Sequence, residues 1–175
     1  MSVFPAVPAG PELIARAPAL ALAAAGPIAI DAMLAVHGST ATPLVAVPAV
    51  VFGVVAATAP ALYIATATAG TAPSLSAVVR AFGIALGAFG VALAGLLLPA
   101  AFLSLSSVSP STTFVVATAA LGGAGFLALR RLARELGPKP LRPSLTAGAL
   151  FLVWSAATVA IAGRLWWDLA NEVMS

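Results

Sequence analysis

Five continuously apolar stretches divide this chain, and each has about the length needed to cross a lipid bilayer. A helix requires roughly 20 mostly apolar residues to span a hydrocarbon core of about 30 Å. Short segments rich in Gly, Pro, Ser and Thr separate the stretches and are typical of turns. The pattern predicts an all-α integral membrane protein, a bundle of about five transmembrane helices over residues 17–36, 44–69, 78–103, 113–129 and 145–165.

A transmembrane β-barrel is the structural alternative, and the same pattern argues against it. Barrel strands alternate apolar and polar residues over segments of about 10 positions, whereas the five stretches are apolar throughout. A helix also satisfies its backbone hydrogen bonds internally, as a lipid environment requires. Because the connections are short, sequential helices are expected to lie side by side and antiparallel.

The composition agrees with a membrane protein. Hydrophobic residues make up 62% of the 175 residues and charged residues only 7%, whereas soluble domains carry roughly 25% charged residues. So few charges cannot cover a water-exposed surface, and we interpret residues 1–175 as a single membrane domain. The net charge of +3 comes from only eight basic residues, which form no stripe for phosphate contacts. No nucleic-acid partner is therefore expected.

The distribution of basic residues predicts the orientation. With the N-terminus in the cytoplasm, seven of the eight basic residues lie on the cytoplasmic side and only Arg164 lies outside, as the positive-inside rule requires. The seven are Arg16, Arg80, Arg130, Arg131, Arg134, Lys139 and Arg142. The C-terminus is then external. The abundance of alanine indicates GC-rich coding and favours a bacterial inner membrane.

Five of these basic residues cluster after the fourth apolar stretch. They are Arg130, Arg131, Arg134, Lys139 and Arg142. Each basic residue near an anionic membrane surface is worth about 1 kcal/mol of attraction, so the cluster is a candidate site for lipid headgroups. The simpler interpretation is an anchor that fixes the topology.

Asp31 is the only acidic residue inside an apolar stretch. An intramembrane carboxylate is costly to insert, so it indicates either a functional proton or ion site or a structural partner. The structural interpretation is favoured because no other acid is available at depth. Arg164 lies at a similar predicted level in the fifth stretch, and the sequence predicts that the two charges pair and place the first helix beside the fifth.

Few residues suggest a cofactor or a reaction. His37, the sole histidine, is a weak candidate ligand for a cofactor such as haem, although a histidine at a helix end is more often solvated. Cysteine is absent, which removes thiol catalysis and Cys-based metal sites. No catalytic set, phosphate-binding loop or metal-ligand spacing occurs. Enzyme activity is not expected, and the cofactor content is left open.

Small residues mark one face of the third stretch and one face of the fourth. Gly83, Gly87 and Gly90 lie on the third, and Gly122 and Gly123 lie on the fourth. Small residues let membrane helices approach closely. Two interpretations stay open, namely docking to another subunit or copy, and packing within the monomer.

From the end of the fifth stretch onward, one helical face carries Leu165, Trp166, Leu169 and Val173, and the other carries most of Asp168, Asn171, Glu172 and Ser175. Tryptophan prefers the membrane interface. The C-terminal segment is therefore expected to be a short interfacial helix or an extension of the fifth span.

Two functions fit the sequence. The first is a non-catalytic accessory or scaffold subunit that packs against other membrane helices or self-associates within the lipid bilayer. The second is a small transporter or channel with Asp31 as its proton or ion site, in which Thr58, Tyr63, Thr66 and the helix-breaking prolines line a path. The lack of further polar residues at depth favours the first.

Overall fold

The described part of the chain is entirely helical apart from short connecting residues. A computed structural model describes residues 10–37, 45–68, 70, 73–106, 109–136 and 145–174. The helices are α1 (Gly10–His37), α2 (Ala46–Thr68), α3 (Leu75–Leu105), α4 (Pro110–Leu136) and α5 (Leu145–Met174). All five are long and apolar enough to cross a membrane. The prediction of an all-α protein with five such helices is confirmed.

All five helices exceed the roughly 20 residues that a bilayer requires, and α3 and α5 are the longest. α3 has 31 residues and α5 has 30. At about 1.5 Å per residue each is roughly 45 Å long, which exceeds a hydrocarbon core of about 30 Å. α5 continues without a break through Trp166 to Met174. Of the two forms expected for the C-terminal segment, the extension of the fifth span is the one observed.

The start of α3 follows from local sequence. Ser74 precedes the helix with φ −59° and ψ 147°, and its side chain accepts a hydrogen bond from the Ala77 N–H at 3.3 Å. This serine N-cap satisfies one of the unpaired donors of the first turn. Gly70, in the preceding connection, has a φ of +66°, which glycine adopts readily. The turn signals in the sequence therefore mark the real boundary between α2 and α3.

α3 lies at the centre of the bundle and packs along α1 and α4. Its buried Phe89 and Leu93 join Ala23 of α1 and Ala117 and Ala124 of α4 in one apolar cluster. Alanine at these contacts lets the helices approach closely, so that dispersion between backbones and short side chains stabilises the packing. α1, α3 and α4 form the tightly packed half of the molecule.

α2 and α5 pack against each other and complete the bundle more loosely. Trp154 of α5 joins Leu62 of α2, Ala85 of α3 and Leu132 of α4 in a second buried cluster. Only 6% of the apolar span Gly148–Asn171 is buried, against 22–33% for the spans of the other four helices. α5 therefore presents most of its surface to the surroundings of the bundle.

Candidate functional site

Asp31 is the only charged side chain that is buried among the described residues. It lies on α1 and is 1% exposed, close to Ile30 and Leu34, which are also buried. Its Oδ2 accepts a hydrogen bond from the Val47 N–H at 3.3 Å. Val47 is the second residue of α2. The carboxylate is therefore held against the first turn of the neighbouring helix.

The first turn of α2 lacks an acceptor of its own. The Ala49 N–H donates to the Val45 carbonyl at 2.8 Å, so Val45 occupies the N-cap position, where valine offers no side-chain acceptor. The turn also contains no acidic residue. Pro48 has no N–H and is tolerated at this end of a helix. Asp31 supplies the missing cap from α1, and its charge lies at the positive end of the α2 dipole.

Two of the hydroxyl groups expected along a polar path, those of Thr58 and Thr66, are bonded within their own helix. Thr58 Oγ1 donates to the Val54 carbonyl at 2.7 Å, and Thr66 Oγ1 lies 3.0 Å from the Leu62 carbonyl. Both bonds run back along α2 and use the threonine donors locally. The hydrogen bond of Asp31, in contrast, is made to the start of α2. The structure does not bring these residues together into one polar path.

The predicted pair of Asp31 and Arg164 is wrong. Arg164 instead lies 3.3 Å from Asp168, one turn further along α5, and the two side chains are 75% and 52% exposed. Depth in the membrane was a poor guide because it does not identify neighbours. α1 packs mainly on α3 and less extensively on α2 and α4, whereas α5 packs mainly on α2. A partner four residues away on the same helix was within reach and required no particular arrangement of helices.

The predicted basic cluster lies at the C-terminal end of α4, as far as the structure describes it. Arg131 pairs with Glu135 at 3.1 Å, while Arg130 and Arg134 are exposed. Arg134 lies in the last turn, where a positive charge interacts favourably with the helix dipole. Three predicted positions lie outside the described residues, namely Lys139, Arg142 and the side chain of His37.

Gly90 marks a very close approach of two helices. A Cβ added there would lie 2.4 Å from the Ala23 backbone nitrogen and 2.6 Å from the Ala19 carbonyl oxygen. These are backbone atoms of α1, so no side chain fits between the helices at this point. At Gly87 the added Cβ would lie 3.4 Å from the Ala19 Cβ. Both glycines therefore serve packing within the monomer.

The remaining predicted glycines differ in how closely a neighbouring helix approaches them. A Cβ added at Gly123 would lie 3.4 Å from Leu96 Cδ1 of α3, whereas one added at Gly83 or Gly122 would meet no atom within 4 Å. Gly123 thus contributes to the α3–α4 contact. Gly83 and Gly122 take no part in close packing of this kind.

A buried hydroxyl pair joins α3 to α4 and was not predicted. Ser104 and Thr113 are both fully buried, and their hydroxyl oxygens are 3.1 Å apart. They lie near the two ends of a short connection between antiparallel helices. Because that connection is short, it brings the two residues to the same level of the bundle. The hydroxyl pair could therefore have been predicted from the sequence.

Two tryptophans tie α5 to its neighbours. Trp154 Nε1 donates to the Thr58 carbonyl at 2.7 Å, and Trp166 Nε1 donates to Thr118 Oγ1 at 2.8 Å. Trp166 also stacks on Phe114, with 5.0 Å between the ring centroids. The sequence predicted an interfacial role for Trp166 and no role for Trp154. Neither hydrogen bond could be predicted from the sequence, because the partners are 96 and 48 residues away.

A cavity of about 600 Å³ lies between α2, α3, α4 and α5. Its walls are almost entirely apolar. Of the residues singled out from the sequence, Thr58, Gly122 and Trp166 border it. Gly122, Gly125 and Gly163 all line the cavity, and an added Cβ at any of them would meet no atom within 4 Å. The glycines therefore leave open space where side chains would otherwise lie.

No family model, curated protein or solved structure matches this chain. Its function is inferred from the positions and bonding of its own residues.

Proposed function

We propose that this chain is a non-catalytic, multi-pass membrane protein that serves as an accessory or scaffold subunit. It packs against helices of other membrane subunits or of a second copy of itself. Its N-terminus is cytoplasmic and its C-terminus external, in a bacterial inner membrane. The seven-to-one distribution of basic residues supports the orientation, and the alanine-rich composition supports the location.

The exposed surface of α5 carries the proposal. α5 has the smallest buried fraction of the five helices. Ala149, Ala156 and Ala160 are all exposed, and their spacing of seven and four residues puts them on one face of the helix. Small residues at such spacing permit close approach by another membrane helix. None of the helices that the structure describes covers that face, so it is available to a neighbour.

The alternative function, a small transporter or channel that uses Asp31, has less support. Asp31 is 1% exposed and caps α2, and the residues lining the cavity offer almost no polar surface. A permeating ion or proton requires a series of polar groups. The bonding of Asp31 is instead that of a group that fixes two helices relative to each other.

The test is co-purification from mild detergent, compared between variants on two faces. The first variant carries Ala156→Leu and Ala160→Leu, which place larger side chains on the exposed face of α5. The matched control, Ala57→Leu, adds the same side chain at an exposed position of α2. We expect a protein that co-purifies with the wild-type chain, or a second tagged copy, to be lost from the α5 variant and kept by the control.

Two results would overturn the proposal. One is a wild-type chain that is monomeric and alone when extracted in mild detergent. The other is a partner that the α5 variant and the control retain equally. Because the chain contains no cysteine, a single cysteine introduced at Ala156 would also allow direct cross-linking of the neighbouring chain.

A further inference from the structure

Two tryptophans of α5, Trp154 and Trp166, border the cavity between α2, α3, α4 and α5 at two levels. At one level Trp166 of α5 bonds to Thr118 and stacks on Phe114, both on α4. At the other level Trp154 belongs to the buried cluster that includes Leu132 of α4. The two tryptophans are 12 residues apart in sequence, which corresponds to about 18 Å along the helix. The distance between these two levels is comparable to one leaflet of a bilayer, roughly 15 Å of hydrocarbon.

The cavity opens sideways between these two levels, through a gap between α4 and α5. Phe126 of α4 and Val159 of α5 line it and are 65% and 57% exposed. Gly122 and Gly125, also on this part of α4, leave space beside them. Both helices are apolar membrane spans in this region. The opening consequently faces hydrocarbon when the protein is in a bilayer.

Every hydrogen-bond donor on the side chains that line the cavity is already used. Trp154 and Trp166 donate to Thr58 and Thr118. The hydroxyls of Thr58, Thr118 and Thr158 donate to backbone carbonyls one turn earlier, at 2.7, 2.8 and 2.9 Å. No donor remains for the phosphate of a headgroup or the carbonyl of a quinone. A cavity with these walls also cannot hold ordered water, which needs two to four polar partners.

We propose that this cavity binds one acyl chain of a bilayer phospholipid, which enters between α4 and α5 and lies along α5. An unfilled apolar space of this size forfeits dispersion contacts on all its walls, and its volume of about 600 Å³ is within the range of roughly 300–1,000 Å³ typical of ligand pockets. The surrounding lipid supplies hydrocarbon chains at high concentration. A protein helix cannot enter, because it is about 10 Å wide and α4 and α5 touch at both ends of the gap. This inference is independent of the accessory role.

The test uses bromine atoms on the acyl chains of phospholipids, which quench nearby tryptophan fluorescence. The protein has three tryptophans, and Trp166→Phe with Trp167→Phe leaves Trp154 alone. Trp154 is 8% exposed, so a brominated chain can reach it only through the cavity. We expect strong quenching of Trp154 in brominated vesicles and weak quenching by aqueous acrylamide.

Two further substitutions in that background locate the effect. Gly125→Leu places a side chain in the cavity, while Gly95→Leu adds the same side chain at an exposed position of α3 where an added Cβ meets no atom within 4 Å. We expect Gly125→Leu to lower the quenching of Trp154 by about half, because the leucine occupies the space of a chain segment. Gly95→Leu should leave the quenching unchanged. Gly122→Leu is the replacement if the first variant does not fold.

Three outcomes would overturn the proposal. If brominated lipid does not quench Trp154, no acyl chain enters the cavity. Efficient quenching by acrylamide shows that water fills the cavity. Equal quenching in the Gly125→Leu and Gly95→Leu proteins shows that lipid reaches Trp154 by another route.

Discussion

At the scale of single residues, Asp31 illustrates how a buried carboxylate is accommodated without a counter-charge. Its bond to the Val47 N–H satisfies a donor that α2 cannot satisfy itself. The cost of burying the carboxylate is offset by this bond and by the dipole of α2. This structural role differs from that of a proton carrier, because Asp31 stabilises the fold only while its carboxylate stays bonded to the start of α2.

Removing the carboxylate from Asp31 should therefore destabilise the fold, whereas keeping a side-chain acceptor should not. We expect Asp31→Ala to lower the free energy of unfolding by about 1–2 kcal/mol, the usual loss for an N-cap. Asp31→Asn should cost much less, since asparagine caps helices about as well as aspartate. Unfolding in mixed micelles of increasing SDS content measures both. A large loss of stability in Asp31→Asn would contradict the capping role.

Exchanging the charges at positions 31 and 164 should not restore a destabilised protein. Asp31→Arg places a long cation against the start of α2, so it should reduce the amount of folded protein in the membrane. Adding Arg164→Asp should give no recovery, because Arg164 pairs with Asp168 and that exposed pair is worth only about 0–1 kcal/mol. The measurement is the yield of folded protein in the membrane. Recovery of this yield in the double variant would support the pairing of Asp31 with Arg164 that the sequence predicted.

At the scale of helices, the contact between α1 and α3 depends on the absence of a side chain at Gly90. The backbone of α1 fills the place that a Cβ would occupy. The small-residue face of α4 includes Gly122, which borders the cavity and where an added Cβ would meet no atom within 4 Å. Identical residue types on two helices thus serve close packing in one case and open space in the other.

Gly90→Ala should force α1 and α3 apart. We expect the free energy of unfolding to fall by about 1–3 kcal/mol, the usual cost of overpacking a tight contact. Gly95→Ala on the same helix is the matched control, because its Cβ would meet no atom within 4 Å. The control should be neutral or stabilising by up to about 1 kcal/mol through helix propensity. Equal stability of the two variants would show that the close contact is not important for folding.

At the scale of the whole molecule, the bundle has two unequal halves. α1, α3 and α4 are in close contact through small residues, while α2 and α5 are held largely by Trp154, Trp166 and their neighbours. The looser half contains the exposed face of α5, and the cavity lies where α2 and α5 meet α3 and α4. Association with another helix is therefore assigned to the looser half, and binding of an acyl chain to its boundary with the tighter half.

The proposed orientation can be checked with reporter fusions. A fusion after Lys139 should report the cytoplasm, and a fusion after Ser175 should report the external side, because the proposed topology places one span between the two sites and seven of the eight basic residues inside. An alkaline phosphatase and a green fluorescent reporter give opposite signals at each site. The reverse pattern at both sites would contradict the orientation.

The sequence by itself determined that the protein has five apolar helices and that short segments rich in Gly, Pro, Ser and Thr separate them. These features depend on hydrophobicity and on hydrogen bonds within a few residues, which are local properties of the chain. Asp31 was correctly identified as unusual for the same reason.

Only the tertiary structure decided which helices are neighbours, and the partners of the polar residues follow from that. Asp31 bonds to α2 and not to Arg164, Gly90 packs against Ala23 while Gly122 borders a cavity, and Trp154 reaches a carbonyl 96 residues away. Helices in a membrane are uniformly apolar, so hydrophobic pattern gives little information about which faces meet. Which faces meet depends on close packing of small side chains, and that packing depends on the shapes of both helices.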